Sequence, residues 1–386
     1  MKRVVAVSLA MAVVLLGARP GAAFDLGEWV PGLKLSPFLS QRFEYETNVF
    51  QTSSNEESDW ISKTIPGFLA DYSFGPHSIS LGYRAEILEY FRLTDQNTVN
   101  HIALGELRLD FPLWLGILRD DFVHTSEPPN TELSGPIESS TNTLTSSFEY
   151  RFTPRLSAGV SVAWRYIDFE QSVNDLDRNE FLFGATVYWK FVPRADVNLS
   201  YAYGFKTFTV AGDRDVTRNI INLGLRGEIT PKLSSTFRVG YEIRTGEHQD
   251  QSNYSGLILG GGFDWRPIEG LTLNLGVDRN VQESVFGSAP YYVTTGSSLA
   301  LQRQINKVTV SARAAGGFND YQTKQTVGTQ TDFRQDWYWG VGTGLDYDFR
   351  PWLRLGVEYL YLGRNSNFND FDFNDHRVSL KATLQF

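Results

Sequence analysis

Apolar and polar residues alternate along almost the whole of this chain of 386 residues, in runs of about ten residues or more. Successive side chains of a β-strand point to opposite faces of the sheet, so each run predicts a strand with one apolar and one polar face. Strands of soluble sheets are commonly about five or six residues long. The pattern therefore predicts strands about twice as long as usual, which few folds use.

Eighteen such runs follow one another, and proline-containing turns such as Thr153-Pro154-Arg155 connect alternate pairs of them. The other connections are longer and polar. Short turns on one side and longer loops on the other are typical of outer-membrane β-barrels, whose short turns face the periplasm. The sequence thus predicts an all-β fold, a single transmembrane antiparallel up-and-down β-barrel of about 18 strands over residues 35–386. The predicted strands span residues 35–48, 61–74, 78–92, 99–111, 115–126, 139–152, 155–169, 179–191, 195–209, 217–230, 232–246, 253–266, 270–284, 291–304, 307–323, 332–349, 352–366 and 371–386.

The amino-terminal residues have the features of an export signal. Two basic residues precede the apolar run of residues 4–16, and small residues stand immediately before Phe24. A basic start, an apolar centre and a small-residue end predict a secretory signal peptide rather than a membrane span. We expect residues 1–23 to be removed, and residues 24–34 to form a short periplasmic segment before the barrel.

The last ten residues alternate without a break and stop on an aromatic residue. Val378, Leu380, Leu384 and Phe386 share one face of this final strand. Such an ending resembles the carboxyl-terminal signal by which outer-membrane barrels are recognised for insertion. We expect these four residues to serve as an insertion signal, with the barrel-assembly machinery as a partner.

Composition excludes several functions. The chain has no cysteine, which rules out disulfides, thiolate metal sites and a cysteine nucleophile. Removal of the three basic residues within residues 1–23 would lower the formal net charge from −9 to −12, which argues against nucleic acid as a partner. The mean hydropathy of −0.26 does not exclude a barrel, because half of each strand of a barrel faces water.

Placing the apolar face of each strand towards lipid assigns the charged face to the interior. In the strand over residues 232–246, Val239 and Tyr241 face lipid, whereas Arg238, Glu242 and Arg244 face inward. Lipid would penalise an Arg or Lys side chain at the membrane midplane by ~2–4 kcal/mol. The same assignment places these side chains in the lumen: Arg42, Glu44, Arg84, Glu86, Glu106, Arg108, Glu149, Arg151, Arg165, Arg226, Glu228, Arg238, Glu242, Arg244, Arg313, Arg354 and Glu358.

The inward charges are nearly balanced, and opposite charges often stand two residues apart, as in Arg42 and Glu44. Salt bridges between them would weaken any preference for anions or cations. None of the connections is long enough to resemble the pore-narrowing loop of general porins, and the longest, residues 127–138, is marginal. Two alternatives stay open for the lumen: an open channel, or an interior packed shut by Arg and Glu networks.

Catalytic patterns are weak. His101 with Glu106, or His124 with Asp120 and Asp121, could form a dyad after folding, but no histidine belongs to a known catalytic or metal-binding motif. We expect no enzymatic activity, no catalytic residues, no cofactor and no metal.

Three segments resemble a β-barrel porin family whose members are often associated with exopolysaccharide and exosortase (PEP-CTERM) gene clusters. They are residues 40–50 (SQRFEYETNVF), Ile65-Pro66-Gly67, and the Tyr-rich residues 81–91 followed by Asn100-His101. The family tends to have aspartates where this chain has Glu44 and Glu46, which removes the basis for a metal or ligand role at these positions.

The resemblance implies an outer-membrane location, a link to polysaccharide secretion and no catalytic residues. We expect a channel that passes hydrophilic solutes or serves as the outer-membrane component of exopolysaccharide export. The alternative is a non-conducting scaffold barrel in an envelope polysaccharide assembly. Expected partners are outer-membrane lipid, lipopolysaccharide and polysaccharide-export components.

Overall fold

The computed structural model describes residues 24–25, 30–128, 131–170, 174–210, 214–247, 253–285 and 290–385. Within these residues, no helix has the length and apolar character that a membrane crossing needs. The strands are β1 (Phe24–Asp25), β2 (Leu33–Glu46), β3 (Asp59–Phe74), β4 (His77–Tyr90), β5 (Thr98–Asp110), β6 (Trp114–Thr125), β7 (Ser139–Arg151), β8 (Leu156–Phe169), β9 (Arg178–Val192), β10 (Ala195–Phe208), β11 (Val216–Thr230), β12 (Leu233–Gly246), β13 (Tyr254–Trp265), β14 (Leu271–Glu283), β15 (Tyr291–Ile305), β16 (Val308–Val327), β17 (Gln330–Arg350), β18 (Leu353–Ser366) and β19 (Phe373–Gln385). Three-residue 3₁₀ turns lie at Thr94–Gln96, Asn174–Leu176 and Asn369–Phe371.

Strands β2 to β19 form one closed antiparallel ring, in which each strand pairs with the next along the chain. The ring closes where β19 pairs with β2, so that Gln385 lies opposite Phe38 and Arg377 lies opposite Glu46. A closed barrel leaves no edge strand to pair with another chain. The predicted eighteen-stranded barrel is confirmed.

Two details of the fold were not predicted. The short β1 pairs only with β2, where Phe24 lies opposite Leu35, and a two-residue strand has too little periodicity to be recognised. Strand β16 runs four residues further than predicted, to Val327. The register shifts between Asp320 and Lys324, where β16 has two more residues than β17 has between Gln335 and Phe333.

The two faces of the wall differ as the alternation requires. In β12, Val239, Tyr241 and Ile243 are exposed on the outer face, whereas Glu242 and Arg244 are buried on the inner face. Near the short turns the outer face carries a belt of exposed aromatic residues: Phe152, Phe191, Trp265 and Phe349. Such belts mark the membrane interface of outer-membrane barrels.

The final strand presents its apolar residues outward. Val378 and Leu380 are exposed, and Leu384 lies opposite Leu39 of β2. Phe386 lies outside the described residues. The use of this face as an insertion signal stays a prediction.

Candidate functional site

Ion pairs between strands that are not neighbours define the inner face of the barrel. Arg226 of β11 lies 3.3 Å from Glu149 of β7, and Lys206 of β10 lies 2.7 Å from Glu283 of β14. Each pair joins strands four places apart in the ring. Side chains on the convex outer face diverge, so such contacts form only across the concave interior. The interior is therefore polar and charged.

Most of the lumen residues proposed from the sequence have ion-pair partners, although not always the expected ones. Arg42 pairs with Glu44 at 3.6 Å, and Arg84 pairs with Glu86 at 3.0 Å, both at a spacing of two residues. Elsewhere the partner lies in another part of the chain, on a neighbouring strand for Glu106 and Glu242 but two or more strands away for most of the others. Glu106 pairs with Arg119, Glu149 with Arg226, Arg151 with Asp110, Glu228 with Arg194, Glu242 with Arg218, Arg244 with Glu283, and Arg313 with Glu358.

The remaining members of that set differ from one another in their contacts. Arg108 and Arg354 pair with aspartates, at 3.2 Å and 2.7 Å respectively. Arg165 donates a hydrogen bond to Thr143 Oγ1. Arg238 is exposed to the lumen, and no described residue gives it a hydrogen bond or an ion pair.

The lumen is open at one end and filled at the other. In the half nearer the periplasm, inner-face side chains are water-accessible, with 53% of Arg313 and 42% of Arg354 exposed. In the extracellular half, Arg334, Asp336 and Asp375 are completely or almost completely buried. The open and packed interiors that the sequence left as alternatives thus occupy different halves of one lumen.

The connection between β6 and β7 occupies part of the extracellular half, and we call its described residues, 126–128 and 131–138, the crossing loop. In a ring of eighteen strands, β6 and β7 stand opposite β15 and β16. The loop tip contacts that opposite side: Ser284 Oγ and the Val285 amide donate to the Glu132 carboxylate at 2.6 Å and 2.9 Å. The loop therefore extends across the lumen.

Further contacts hold the same tip. Asn319 of β16 donates to Thr131 Oγ1 at 2.7 Å, and Arg364 of β18 donates to the carbonyl oxygens of Thr131 and Glu132 at 2.8 Å and 3.0 Å. Leu133 packs against a buried cluster that includes Ile137. The tip is thus bound to three separate segments of the far wall.

The expectation that no loop narrows the pore was wrong. The crossing loop is short, but long side chains such as Arg364 extend from the far wall to meet it. Sequence length alone could not reveal this contact. Leu133 and Ile137 were the available signal, because apolar residues within a polar connection indicate burial.

The first long loop also folds inward, around Asn48. Asn48 Nδ2 donates to the carbonyl oxygens of Thr52 and Asn374, and the amide of Thr52 donates back to Asn48 Oδ1. The next residues place Phe50 beside Gly135 of the crossing loop, where an added methyl group would lie 3.3 Å from the Phe50 Cα. Gly135 has a φ of +79°, so this close approach specifically favours glycine.

The two glutamates of that segment serve as ion-pair partners. Glu44 lies 2.7 Å from Lys63, and Glu46 lies 2.7 Å from Arg377. Among the described residues, no group of three or more His, Asp or Glu side chains has the arrangement of a metal site.

The candidate histidine dyads do not form. Glu106 and Asp121 both pair with Arg119, and His101 and His124 bond instead to Tyr83 and Ser140. The described part of the chain thus supplies a structural partner for each of these groups.

Closure of the lumen should depend on pH through Glu132. Burial raises the pKa of this carboxyl group, and bonds from Ser284 and the Val285 amide together with the charge of Arg334 offset only part of the rise. The closed state therefore holds its proton more tightly than a released loop, whose carboxyl pKa is ordinary at about 4.3. Protonation of Glu132 therefore stabilises the closed loop fully at pH values below the ordinary pKa. This stabilisation decreases as pH rises towards the raised pKa of the closed state.

We expect the conductance of the purified protein in planar bilayers to increase as pH rises above about 4. In Glu132→Gln, which has no titrating carboxyl at this position, this increase should be absent. The control is Glu127→Gln, an exposed residue of the same loop, which should keep the wild-type pH profile. An unchanged profile in Glu132→Gln would show that Glu132 does not carry the pH dependence.

Comparison with known proteins identifies the barrel. The sequence profile of the family described as "Putative beta-barrel porin 2" matches residues 25–386. The chain belongs to this porin family. It is located in the bacterial outer membrane and forms a porin-like β-barrel channel, so family and fold point to a channel rather than an enzyme. No curated protein matches this porin in sequence.

Solved structures share its fold. The outer membrane protein OpdK from Pseudomonas aeruginosa is 13% identical, with a TM-score of 0.50 over 91% of this chain and 99% of that one. OccK2 (OpdF) from Pseudomonas aeruginosa, in complex with glucuronate, is 11% identical, with a TM-score of 0.50 over 95% of this chain and 100% of that one. At these identities the similarity concerns the fold alone.

Proposed function

We propose that this porin passes hydrophilic solutes through a lumen that the crossing loop gates at the extracellular end. The observation that carries the proposal is the asymmetry of the lumen. Its periplasmic half has water-accessible charged walls, whereas its extracellular half contains buried wall residues and a loop that is held across it through side-chain contacts.

The bonding of the loop tip is suited to reversible opening. Each hydrogen bond contributes a net ~0.5–1.5 kcal/mol, because water replaces it on release. The five bonds to Thr131 and Glu132 thus hold the tip by a few kcal/mol, less than a ladder of strand pairs would. A solute or a partner that binds the released tip could compensate for this loss.

The charges of the open half support weak ion selectivity. Inner-face pairs such as Arg354 with Asp348 and Glu106 with Arg119 place opposite charges within 3.3 Å of each other. Beyond a Debye length of ~8 Å at physiological salt, such pairs leave little net field. We propose neutral or mixed-charge hydrophilic solutes rather than simple anions or cations.

A finer proposal is that the solute is an exopolysaccharide on its way out of the cell. A lumen that is open towards the periplasm and closed to the outside fits a polymer arriving from the periplasm. The resemblance of residues 40–50 to proteins of exopolysaccharide gene clusters supports the same direction of transport. Its partners would be polysaccharide-export components, with lipopolysaccharide and lipid around the barrel and the barrel-assembly machinery during insertion.

The alternative is a scaffold barrel that does not conduct. One observation favours it: the wall itself contributes fully buried charged residues, such as Arg334 and Asp336, to the filled half. Those residues would still occupy the lumen after the loop moved.

Cysteine accessibility separates the two functions, because the natural chain has no cysteine. Thr236 lies opposite Arg226 on the inner face and is exposed, so Thr236→Cys should react with a membrane-impermeant maleimide supplied in the periplasm. From outside intact cells it should react slowly, at the rate of gate opening. Thr343→Cys, on the outer face opposite Tyr359, should react from neither side. Thr236→Cys that never reacts from outside, together with no solute flux in proteoliposomes, would support the scaffold.

A further inference from the structure

A single row of paired residues crosses the inner face from β11 to β17 and consists largely of glycine. In this row each residue lies opposite the next on the neighbouring strand: Gly224, Arg238, Gly260, Asp278, Gly296, Gly317 and Tyr338. Because barrel strands are tilted by ~35–45°, a row perpendicular to the strands climbs along the lumen wall. The row therefore forms an inclined strip with three large polar side chains.

The glycines leave a recess into which those side chains fold. A methyl group added at Gly296 would lie 2.9 Å from Asp278 Oδ1 and 2.9 Å from the Tyr338 hydroxyl. A methyl group at Gly260 would lie 3.3 Å from Arg238 Nη2. The Asp278 carboxylate, the Tyr338 phenol and the Arg238 guanidinium thus lie against the backbone of the glycines.

Two of these three polar groups have no partner within the described chain. Neither Arg238 nor Asp278 has a hydrogen bond or an ion pair there, and Tyr338 bonds only to Thr294, at 3.1 Å. Asp264, on the same wall, bonds to Asn274, and Arg226 pairs with Asp196 at 2.9 Å. Arg238 and Asp278 thus offer unused donors and acceptors.

We propose that this recess binds a neutral carbohydrate chain, an inference that rests on the proposed passage of hydrophilic solutes. Each sugar hydroxyl both donates and accepts, so it can donate to Asp278 and accept from Arg238. One acid and one base carry no net charge together, which favours an uncharged ligand.

The spacing of the charges distinguishes a sugar chain from an amino acid. Arg238 and Asp278 are two strands apart, about 10 Å between their Cα atoms. The Asp278 carboxylate leans further away, over Gly296 of β15. The ammonium and carboxylate of one α-amino acid are too close together to reach both. Successive sugar units can supply hydroxyls along the whole strip.

The strip also leads towards the gate. Tyr338, at its upper end, lines a cavity under the crossing loop together with Thr131, Leu133, Arg313 and Glu358. A chain that followed the glycine row upwards would therefore arrive beneath the loop tip.

Isothermal titration of the full-length protein in detergent with maltohexaose, a neutral linear hexasaccharide, tests the site. The wild type should bind, and Asp278→Asn and Arg238→Gln should each weaken binding about tenfold or more, the equivalent of one charge-assisted hydrogen bond. Gly296→Val, whose side chain would displace the Asp278 carboxylate and the Tyr338 hydroxyl, should also weaken binding. Asp264→Asn removes a charge from the same wall outside the row and should bind as the wild type does.

The outcomes separate this inference from the proposed function. If the wild type did not bind the hexasaccharide, or if both Asp278→Asn and Arg238→Gln bound it with unchanged affinity, the carbohydrate site would be overturned. Sugar flux would still be evidence for the channel. Binding of trialanine but not of the hexasaccharide would overturn the ligand class. Specific binding without flux in any variant would overturn the channel and leave the site in place. Faster migration of unboiled than boiled samples in gels checks that each variant is folded.

Discussion

Shortening the crossing loop should convert a nearly silent protein into a conducting channel. Replacing residues 128–135 with two glycines removes Thr131, Glu132 and Leu133, and with them the described hydrogen bonds of the tip to Ser284, Val285, Asn319 and Arg364. Barrels of sixteen to eighteen strands otherwise leave an aqueous channel. We expect at least about a tenfold increase in single-channel conductance in planar bilayers.

The barrel itself should survive this change, because the loop contributes no strand to the ring. Arg364→Ala, which removes the two bonds to the loop carbonyl oxygens but keeps the loop, should give brief openings rather than a permanently open state. The matched control shortens the exposed residues 53–57 of the first long loop, which should leave the conductance unchanged. A shortened crossing loop with wild-type conductance would mean that wall residues alone close the lumen.

The fold was predictable from the sequence because alternation is a local property. The alternation within each strand shows which residues lie on each of its two faces, and each short turn indicates that the two strands it connects are neighbours. The predicted bounds were least accurate in β16, where the register shifts between Asp320 and Lys324 and the pairing with β17 continues to Val327.

The arrangement within the lumen was much less predictable. Alternation assigns a side chain to a face, but it does not show which partner lies across the interior. The ion pair between Arg226 and Glu149 was therefore not predicted. The crossing loop depends on contacts between residues more than 150 positions apart, such as Glu132 with Ser284. The glycine row is visible only once the register of seven strands is known.

Loss of the Glu283 carboxylate should be the most destabilising single change in the lumen. Glu283 is buried and accepts bonds from Lys206 at 2.7 Å and from Arg244 at 2.8 Å and 2.9 Å. Among the described residues, Glu283→Gln would leave these two buried cations with Glu180, which lies 3.4 Å from Lys206 and already pairs with Arg178 at 2.7 Å. Breaking a buried ion pair by removing one partner costs about 3–5 kcal/mol.

The position of Glu283 in the wall adds to this cost. Strands β13 and β14 pair only from Leu259 opposite Arg279 to Trp265 opposite Leu273, so their extracellular ends have no shared ladder. Side chains bridge this seam instead: Arg279 donates to the Leu257 carbonyl oxygen at 3.2 Å, and Arg244 of β12 reaches Glu283 at the end of β14. Glu283→Gln therefore weakens a side-chain contact between β12 and β14 at a place where β13 and β14 have no backbone pairing.

Urea unfolding of the protein in detergent, followed by gel mobility of unboiled samples, measures the effect. The matched control is Glu228→Gln, because Glu228 pairs with Arg194 at the same distance of 2.7 Å but both side chains are largely exposed. Exposed pairs contribute at most about 1 kcal/mol, so this variant should unfold close to the wild type. If the two variants lost equal stability, the buried network would not be what holds β13 and β14 together. A lower unfolding midpoint for Glu283→Gln alone would locate the weakest part of the wall at this seam.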